Sequence, residues 1–120
     1  MIYGFDYWKT LSHHKGIMIP LIDALVKAGH KVYVISAAGK DREHTTPEMI
    51  GALGLPEGVE VYMCIWSHQL EAPELKYQKC KELGIDMFFD DRKDTCDYLS
   101  ARGVPCFQSP FYKFFPLEAK

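Results

Sequence analysis

The chain has 120 residues, 48% of them hydrophobic and 25% charged, which suits one globular domain with a single core and argues against two domains. The formal net charge of −2 gives no electrostatic reason to expect broad binding to nucleic acid or anionic membranes. No apolar stretch approaches the roughly 20 residues that cross a bilayer, and no basic segment followed by an apolar one opens the chain. These features predict one soluble, cytoplasmic domain over residues 1–120.

The predicted strands and helices alternate along the chain. Apolar and β-branched runs predict five strands, over residues 2–6, 31–36, 59–65, 85–89 and 104–107. Helical spacing and end signals predict four helices, over residues 16–29, 45–53, 73–83 and 94–101. Pro20 is expected near the first turn of the first helix, and a threonine as the cap of the second. This order predicts an α/β fold with a three-layer, Rossmann-like, doubly wound parallel sheet of five strands.

The cysteines and the histidines show no metal-binding pattern. The four cysteines include no C-x-x-C pair, so reduced and mostly buried thiols are expected, and no H-x-x-x-H pair lies on a predicted helix.

Residues 107–116 contain five aromatic side chains. We expect this tail, residues 107–120, to fold over the edge of the domain's own sheet, and a dimer contact is the alternative.

Polar side chains stand where several predicted strands end. Asp6 ends the first strand, Ser36 the second, and Asp90 and Asp91 the fourth, while Lys76 lies on the helix before the fourth strand. In a doubly wound sheet the first and fourth strands can be neighbours where the winding reverses. Two carboxylates that converge there repel each other unless a hard cation separates them, and Mg²⁺ prefers such oxygen ligands. A carboxylate nucleophile, a lysine and a hydroxyl together predict phosphoryl-group chemistry.

The residues resemble the four motifs of the haloacid dehalogenase-like superfamily, most of whose members are phosphatases that form an aspartyl-phosphate. The first motif, Asp-x-Asp-x-Thr, is matched by Asp6-Tyr7-Trp8-Lys9-Thr10, the second by Ser36, the third by Lys76 or alternatively Lys79, and the fourth by FFDDRKDT at residues 88–95. The run KELGID before the fourth motif also resembles the 5'(3')-deoxyribonucleotidase and phage phosphatase branch.

The resemblance implies a role for each matched residue. Asp6 would be the nucleophile, and Ser36 and Lys76 would be catalytic groups that also bind the phosphate of the substrate. Ala37 and Thr10 would add substrate contacts. Mg²⁺ would be held by Asp6, the main-chain carbonyl of Trp8 and Asp91, with Asp90 or Asp94 in support.

Trp8 is a departure from the family pattern, because phosphatases of the family have a second aspartate at this position. That aspartate protonates the leaving oxygen and then activates water, and an indole can do neither. Loss of such acid–base help costs about 10²–10⁴-fold in rate, so weak or atypical activity is expected. His13 or His14 could replace the acid, since histidine titrates in a suitable range. A catalytically silent binding domain and a dehalogenase are the alternative functions.

The spacing of the motifs leaves no room for a cap domain. Only 30 positions separate Asp6 from Ser36 and 40 separate Ser36 from Lys76, and the predicted elements use nearly all of them. Members of the superfamily without caps commonly accept large or exposed substrates. A phosphorylated macromolecule or a nucleotide is therefore the expected substrate, and Trp8 would either stack on it or pack against its own loop.

Overall fold

The structure, a computed structural model, describes residues 1–109 and contains five strands that all run parallel. The strands are β1 (Ile2–Phe5), β2 (Lys31–Gly39), β3 (Glu60–Trp66), β4 (Met87–Asp90) and β5 (Cys106–Gln108). The helices are α1 (Lys15–Lys27), α2 (Thr45–Gly51), α3 (Ala72–Leu83) and α4 (Lys93–Ala101). Short helical turns cover Tyr7–Leu11, Lys40–Arg42 and Gln69–Glu71. The strand order β3-β2-β1-β4-β5 confirms the predicted Rossmann-like sheet, and the winding reverses between β1 and β4.

Apolar side chains bury both faces of the sheet. On one face α1 and α2 contribute Ile22 and Ile50 to a core that includes Phe5. On the other face α3 and α4 contribute Cys80 and Leu99 to a second core. Because helices cover both faces, the central strands are apolar almost throughout, which explains why they could be located from the sequence.

The predicted elements agree with the structure to within three residues at each end. The largest difference is in β2, which runs three residues beyond Ser36 and ends at Gly39. In this extension Ala37 pairs with Cys64 of β3, and Gly39 pairs with Trp66. The expectation that Ser36 ends its strand is therefore wrong, because main-chain pairing with β3 extends the strand through residues of low strand propensity.

Two predictions about helix ends are also wrong. Pro20 lies inside α1 rather than in its first turn, where it removes one main-chain hydrogen-bond donor. The residue that precedes α2 is His44, and its side chain makes no capping hydrogen bond. Thr45 is already helical, and the hydroxyl of Thr46 is buried without a hydrogen-bond partner in the described part of the chain.

The aromatic tail falls mostly outside the described residues. Phe107 lies in β5, where its ring stacks on that of Phe89 with the ring centroids 5.9 Å apart. The expected contact of the tail with the sheet edge, or with a second copy of the chain, concerns residues 110–120 and is not described. All four cysteines are free thiols, and Cys106 is the one that is partly exposed. Within residues 1–109 no helix combines the length and apolar character needed to cross a membrane.

Gly4 of β1 lies against the ring of Phe88 on the neighbouring β4. A Cβ atom at this position would be 2.5 Å from Cδ1 of Phe88. We expect Gly4→Ala to lower the free energy of unfolding by about 1–3 kcal/mol, because a fully packed ring would have to move. Urea denaturation measures this loss.

Gly51→Ala, in α2, is the matched control for this substitution. No atom lies within 4 Å of its Cβ position, and alanine favours a helix, so stability should stay the same or rise by up to about 1 kcal/mol. Equal losses in the two variants would contradict the packing explanation.

Candidate active site

Three buried aspartates meet where the winding of the sheet reverses. Asp6 follows β1, and its main-chain N–H donates to the carbonyl of Phe89 on β4 at 2.9 Å. Asp90 ends β4 and Asp91 follows it. One carboxylate oxygen from each of the three aspartates lies within 4.8 Å of the others. The predicted proximity of Asp6 and Asp91 is thus observed, at the edge where parallel α/β sheets bind ligands.

Lys76 of α3 lies between two of these carboxylates. Its Nζ donates to Oδ1 of Asp6 at 2.8 Å and to Oδ2 of Asp90 at 2.6 Å. Burial disfavours the charged ammonium, but the two carboxylates outweigh this effect and raise the pKa of Lys76. Burial raises the pKa of Asp6 well above its ordinary value, although Lys76 acts in the opposite direction. Three buried carboxyl groups face one ammonium, so a bound cation would offset the remaining negative charge.

The surroundings of the acidic residues distinguish their possible roles. Asp90 is fully buried, and besides Lys76 it accepts a hydrogen bond from the main-chain N–H of Arg92 at 3.0 Å. Both carboxylate oxygens of Asp90 therefore have partners. Asp94 holds the guanidinium of Arg92 through two hydrogen bonds of 3.0 and 2.8 Å. Asp91 and Asp94 both line the adjacent cavity, but Asp91 is buried and forms no ion pair among residues 1–109; burial together with the charge of Asp90 raises the pKa of Asp91.

A cavity of about 750 Å³ opens beside these residues. This volume lies in the range of roughly 300–1,000 Å³ that is typical of small-molecule sites. Of the residues predicted from the sequence, six line the cavity: Asp6, Trp8, Ala37, Lys76, Asp91 and Asp94. The carboxylates and main-chain carbonyls available here are hard oxygen donors, which fit Mg²⁺ better than a softer metal.

Ser36 and Thr10, two predicted substrate-binding residues, do not line the cavity. Ser36 is completely buried within β2, and its hydroxyl has no hydrogen-bond partner among residues 1–109. The cavity instead meets the end of β2 at residues 37–39. The Thr10 hydroxyl donates to Oδ2 of Asp6 at 3.4 Å and lies 3.1 Å from the hydroxyl oxygen of Ser109. Thr10 is thus placed to orient Asp6.

Trp8 is half-buried and packs against its neighbour Tyr7 and against Arg42 on the turn after β2. Its ring centroid is 5.0 Å from the ring of Tyr7 and 5.0 Å from the guanidinium carbon of Arg42. The remaining surface of Trp8 lines the cavity. The two histidines considered as replacements for the missing acid are not cavity residues: His14 is buried, and the ring of His13 contacts the neighbouring Ser12 at 2.9 Å.

The alternative lysine of the third motif, Lys79, points elsewhere. Its Nζ pairs with Glu82 at 2.8 Å and lies 5.0 Å from the ring centroid of Tyr62. Of the two lysines, Lys76 is the one that reaches Asp6.

Thr95 was not singled out by its sequence position, although it closes the FFDDRKDT run. Its side chain is 1% exposed and lines the cavity. Its hydroxyl has no hydrogen-bond partner in the described part of the structure, and such buried groups are normally satisfied. The Thr95 hydroxyl is therefore available to a bound ligand. Its place as the one hydroxyl residue of this polar run was the signal that could have identified it.

Comparisons with known proteins support the Rossmann-like fold. No family model matches the chain, and no curated protein matches it. A chain of the Pnkp1/Rnl/Hen1 complex covers 92% of this chain with a TM-score of 0.69 and 14% identity. A chain of the Pnkp1/Rnl/Hen1 RNA repair complex also covers 92%, with a TM-score of 0.67 and 13% identity. The matches span 46% and 42% of those longer chains, and at this identity they show a related fold.

The buried ion pairs of Lys76 lead to a stability prediction. Lys76→Met leaves Asp6 and Asp90 buried without their cation, so we expect the free energy of unfolding to fall by about 3–5 kcal/mol. Lys79→Met, on the same helix, removes a partly exposed pair and should cost less than about 1 kcal/mol. Urea titrations of both variants in metal-free buffer test this difference. A Lys76→Met protein as stable as the Lys79→Met protein would contradict the predicted importance of the buried pairs.

Proposed function

We propose that the protein is a magnesium-dependent phosphohydrolase that acts through an aspartyl-phosphate on Asp6. The observation that carries this proposal is the buried Asp6–Lys76 ion pair, at 2.8 Å, beside Asp91 and a cavity at the switch point of the sheet. The resemblance of the motifs to capless phosphatases of the haloacid dehalogenase-like superfamily supports the same function. Activity should be weak or atypical because Trp8 replaces the usual acid.

In the proposed reaction an oxygen of Asp6 forms a bond to phosphorus while the bond from phosphorus to the leaving oxygen breaks. Lys76 stays charged at neutral pH, because its pKa is raised, and it offsets negative charge on Asp6 and on the phosphoryl group. Bound by Asp6, Asp91 and the carbonyl of Trp8, Mg²⁺ would act as a Lewis acid toward phosphoryl oxygens. The free hydroxyl of Thr95 can donate a further hydrogen bond to the phosphoryl group.

Trp8 determines which substrates should react fastest. The leaving oxygen needs a proton, and the indole of Trp8 has none to give at neutral pH. Substrates whose leaving groups are stable as anions should therefore react more readily than alkyl phosphates. Water must then hydrolyse the aspartyl-phosphate, which restores the carboxylate of Asp6 and releases phosphate, again without a base at position 8.

The leaving-group dependence can be tested with two substrates and four proteins. Mg²⁺-dependent hydrolysis of p-nitrophenyl phosphate should be measurable in the wild type and absent in Asp6→Asn. Trp8→Asp should increase turnover of an alkyl phosphate by about 10²-fold or more, and that of p-nitrophenyl phosphate by less. Trp8→Asn is the control, because it removes the indole without supplying an acid. Equal gains in Trp8→Asn and Trp8→Asp would contradict the role assigned to this position.

Trp8 also favours a second candidate function, a catalytically silent domain that keeps the fold and the acidic cluster for binding. Wild-type turnover no higher than that of Asp6→Asn, together with a gain in Trp8→Asp, would support the silent domain. A dehalogenase would release halide from a haloacid in the presence of a chelator. No release is expected if the aspartates hold a metal.

Metal binding can be tested without turnover. If Mg²⁺ binds the folded protein, saturation at about 100 times its dissociation constant adds roughly 2.7 kcal/mol to the free energy of unfolding, and thermal denaturation should show this increase. Asp91→Asn should abolish most of it. Asp94→Asn should retain it, because the exposed carboxylate of Asp94 pairs with Arg92 instead. Loss of the Mg²⁺ effect in Asp94→Asn but not in Asp91→Asn would reverse the assignment.

The substrate we propose is a phosphorylated macromolecule or nucleotide. The cavity is bounded by residues 37–39, 41 and 42 and by Trp66 rather than by a separate cap in the described structure. The similar folds occur in chains of an RNA repair complex, which is a reason to include nucleic-acid substrates in any assay.

A further inference from the structure

The cavity has more binding groups than a phosphate and a metal require. Besides Asp6, Asp91 and Lys76, it is lined by two tryptophans, Trp8 and Trp66, by cationic side chains that include Lys9 and Arg42, and by the carboxylates of Asp41 and Asp94. Trp66 and Arg42 lie outside the motifs that support phosphoryl transfer. Trp8 and Lys9 stand within the first motif, at positions to which the proposed reaction assigns no side-chain role. Their arrangement indicates what the rest of the substrate is.

Trp66 forms a fixed aromatic wall of the cavity. It ends β3 and is the register partner of Gly39 on β2. Oδ1 of Asp41 lies 2.8 Å from the position that a Cβ atom on Gly39 would take, and atoms Cη2 and Cζ3 of the Trp66 ring lie 3.1 Å from it. Gly39 has φ −72°, a conformation open to any residue, so the side chains of Asp41 and Trp66, not the backbone, favour glycine here. The ring is half-buried and contributes to the cavity surface, as a platform for stacking would.

Lys9 is held in an unfavourable backbone conformation at the cavity. With φ 64° it is the one non-glycine residue of positive φ among residues 1–109. This left-handed conformation disfavours residues with a side chain, and strain of this kind often occurs at functional sites. The side chain of Lys9 is exposed, lines the cavity and forms no ion pair within the described chain.

Arg42 is a second cation that lines the cavity. Its guanidinium carbon lies 5.0 Å from the ring centroid of Trp8, the neighbour of Lys9 in the chain. No carboxylate among the described residues pairs with Arg42, whereas Arg92 and Lys93 are paired with Asp94 and Asp97. Lys9 and Arg42 are therefore cations available to a ligand anion.

We propose that the cavity binds the phosphorylated end of a single-stranded nucleic acid, with a base stacked on Trp66 and an adjacent phosphodiester bound by Lys9 and Arg42. Aromatic side chains beside cations are the combination that binds unpaired strands, because every base can stack and every linkage carries a negative charge. The net charge of −2 agrees with contacts confined to one cavity rather than a broad basic surface. The proposal deepens the proposed function, since the terminal phosphate would occupy the Asp6 site.

Direct binding tests this proposal separately from catalysis. The probe is a fluorescently labelled oligothymidylate of five residues with a terminal phosphate, measured by fluorescence anisotropy with the Asp6→Asn protein to prevent turnover. Against this background, Trp66→Leu should weaken binding by about 5–150-fold, the range for loss of one base–aromatic stack. Leu70→Ala is the control, because Leu70 is 78% exposed and lies on the adjoining turn.

Salt dependence identifies the phosphate contacts. Lys9→Gly and Arg42→Gln should each reduce the slope of log affinity against log salt concentration by about 0.7, the value for one phosphate of a single strand. Lys40→Gln, an exposed lysine on the same turn as Arg42, should leave the slope unchanged. Lys9→Gly should also keep or raise the melting temperature, because glycine adopts this conformation without strain. A purely structural role for Lys9 predicts no change in the salt slope.

The proposal is overturned if Trp66→Leu and Lys9→Gly bind the oligonucleotide as tightly as their background protein. Tighter binding of a phosphopeptide than of the oligonucleotide would also overturn it. If no phosphatase activity is found but binding depends on Trp66 and Lys9, the binding proposal stands and the proposed function fails. The two conclusions are thus distinguishable.

Discussion

The site depends on two ion pairs of Lys76, whose Nζ lies 2.8 Å from Asp6 and 2.6 Å from Asp90. The sheet order makes β1 and β4 neighbours, and this brings the carboxylates after the two strands into one small volume. Buried carboxylates repel each other and lose hydration, so they need a cation from the protein. Lys76 on helix α3 supplies this cation. Fold and site are therefore coupled through one lysine.

The same charge arrangement divides the acidic residues by role. Asp90 has both oxygens occupied, by Lys76 and by the main chain at Arg92, so it positions other groups. Asp91 faces the cavity and is placed to bind a ligand or a cation there. Neighbouring residues of one motif thus differ because Asp90 ends β4 with both oxygens bonded, whereas Asp91 lies after the strand and lines the cavity.

The walls of the cavity come from segments distant from the acidic residues in the sequence. Trp66 lies at the end of the edge strand β3, and Arg42 lies on the turn after β2. These residues are brought to the carboxylates by the common direction of the parallel strands, which places all their carboxyl ends at one edge. Lys9, with its positive φ, lies at the same edge. In the sequence it stands between Asp6, the proposed nucleophile, and Thr10, which donates a hydrogen bond to Asp6.

The sequence by itself determined the alternating elements, the sheet class and the group formed by Asp6, Lys76, Asp90 and Asp91, because apolar periodicity and charged strand ends are local signals. It did not determine where β2 ends, since alanine and glycine at 37–39 have low strand propensity and only pairing with β3 makes them extended. The displacement of Ser36 from the cavity follows from that pairing. Tertiary structure alone decided that Trp66, Arg42 and Thr95 line the cavity with Asp6, because contacts between distant segments depend on register and strand order.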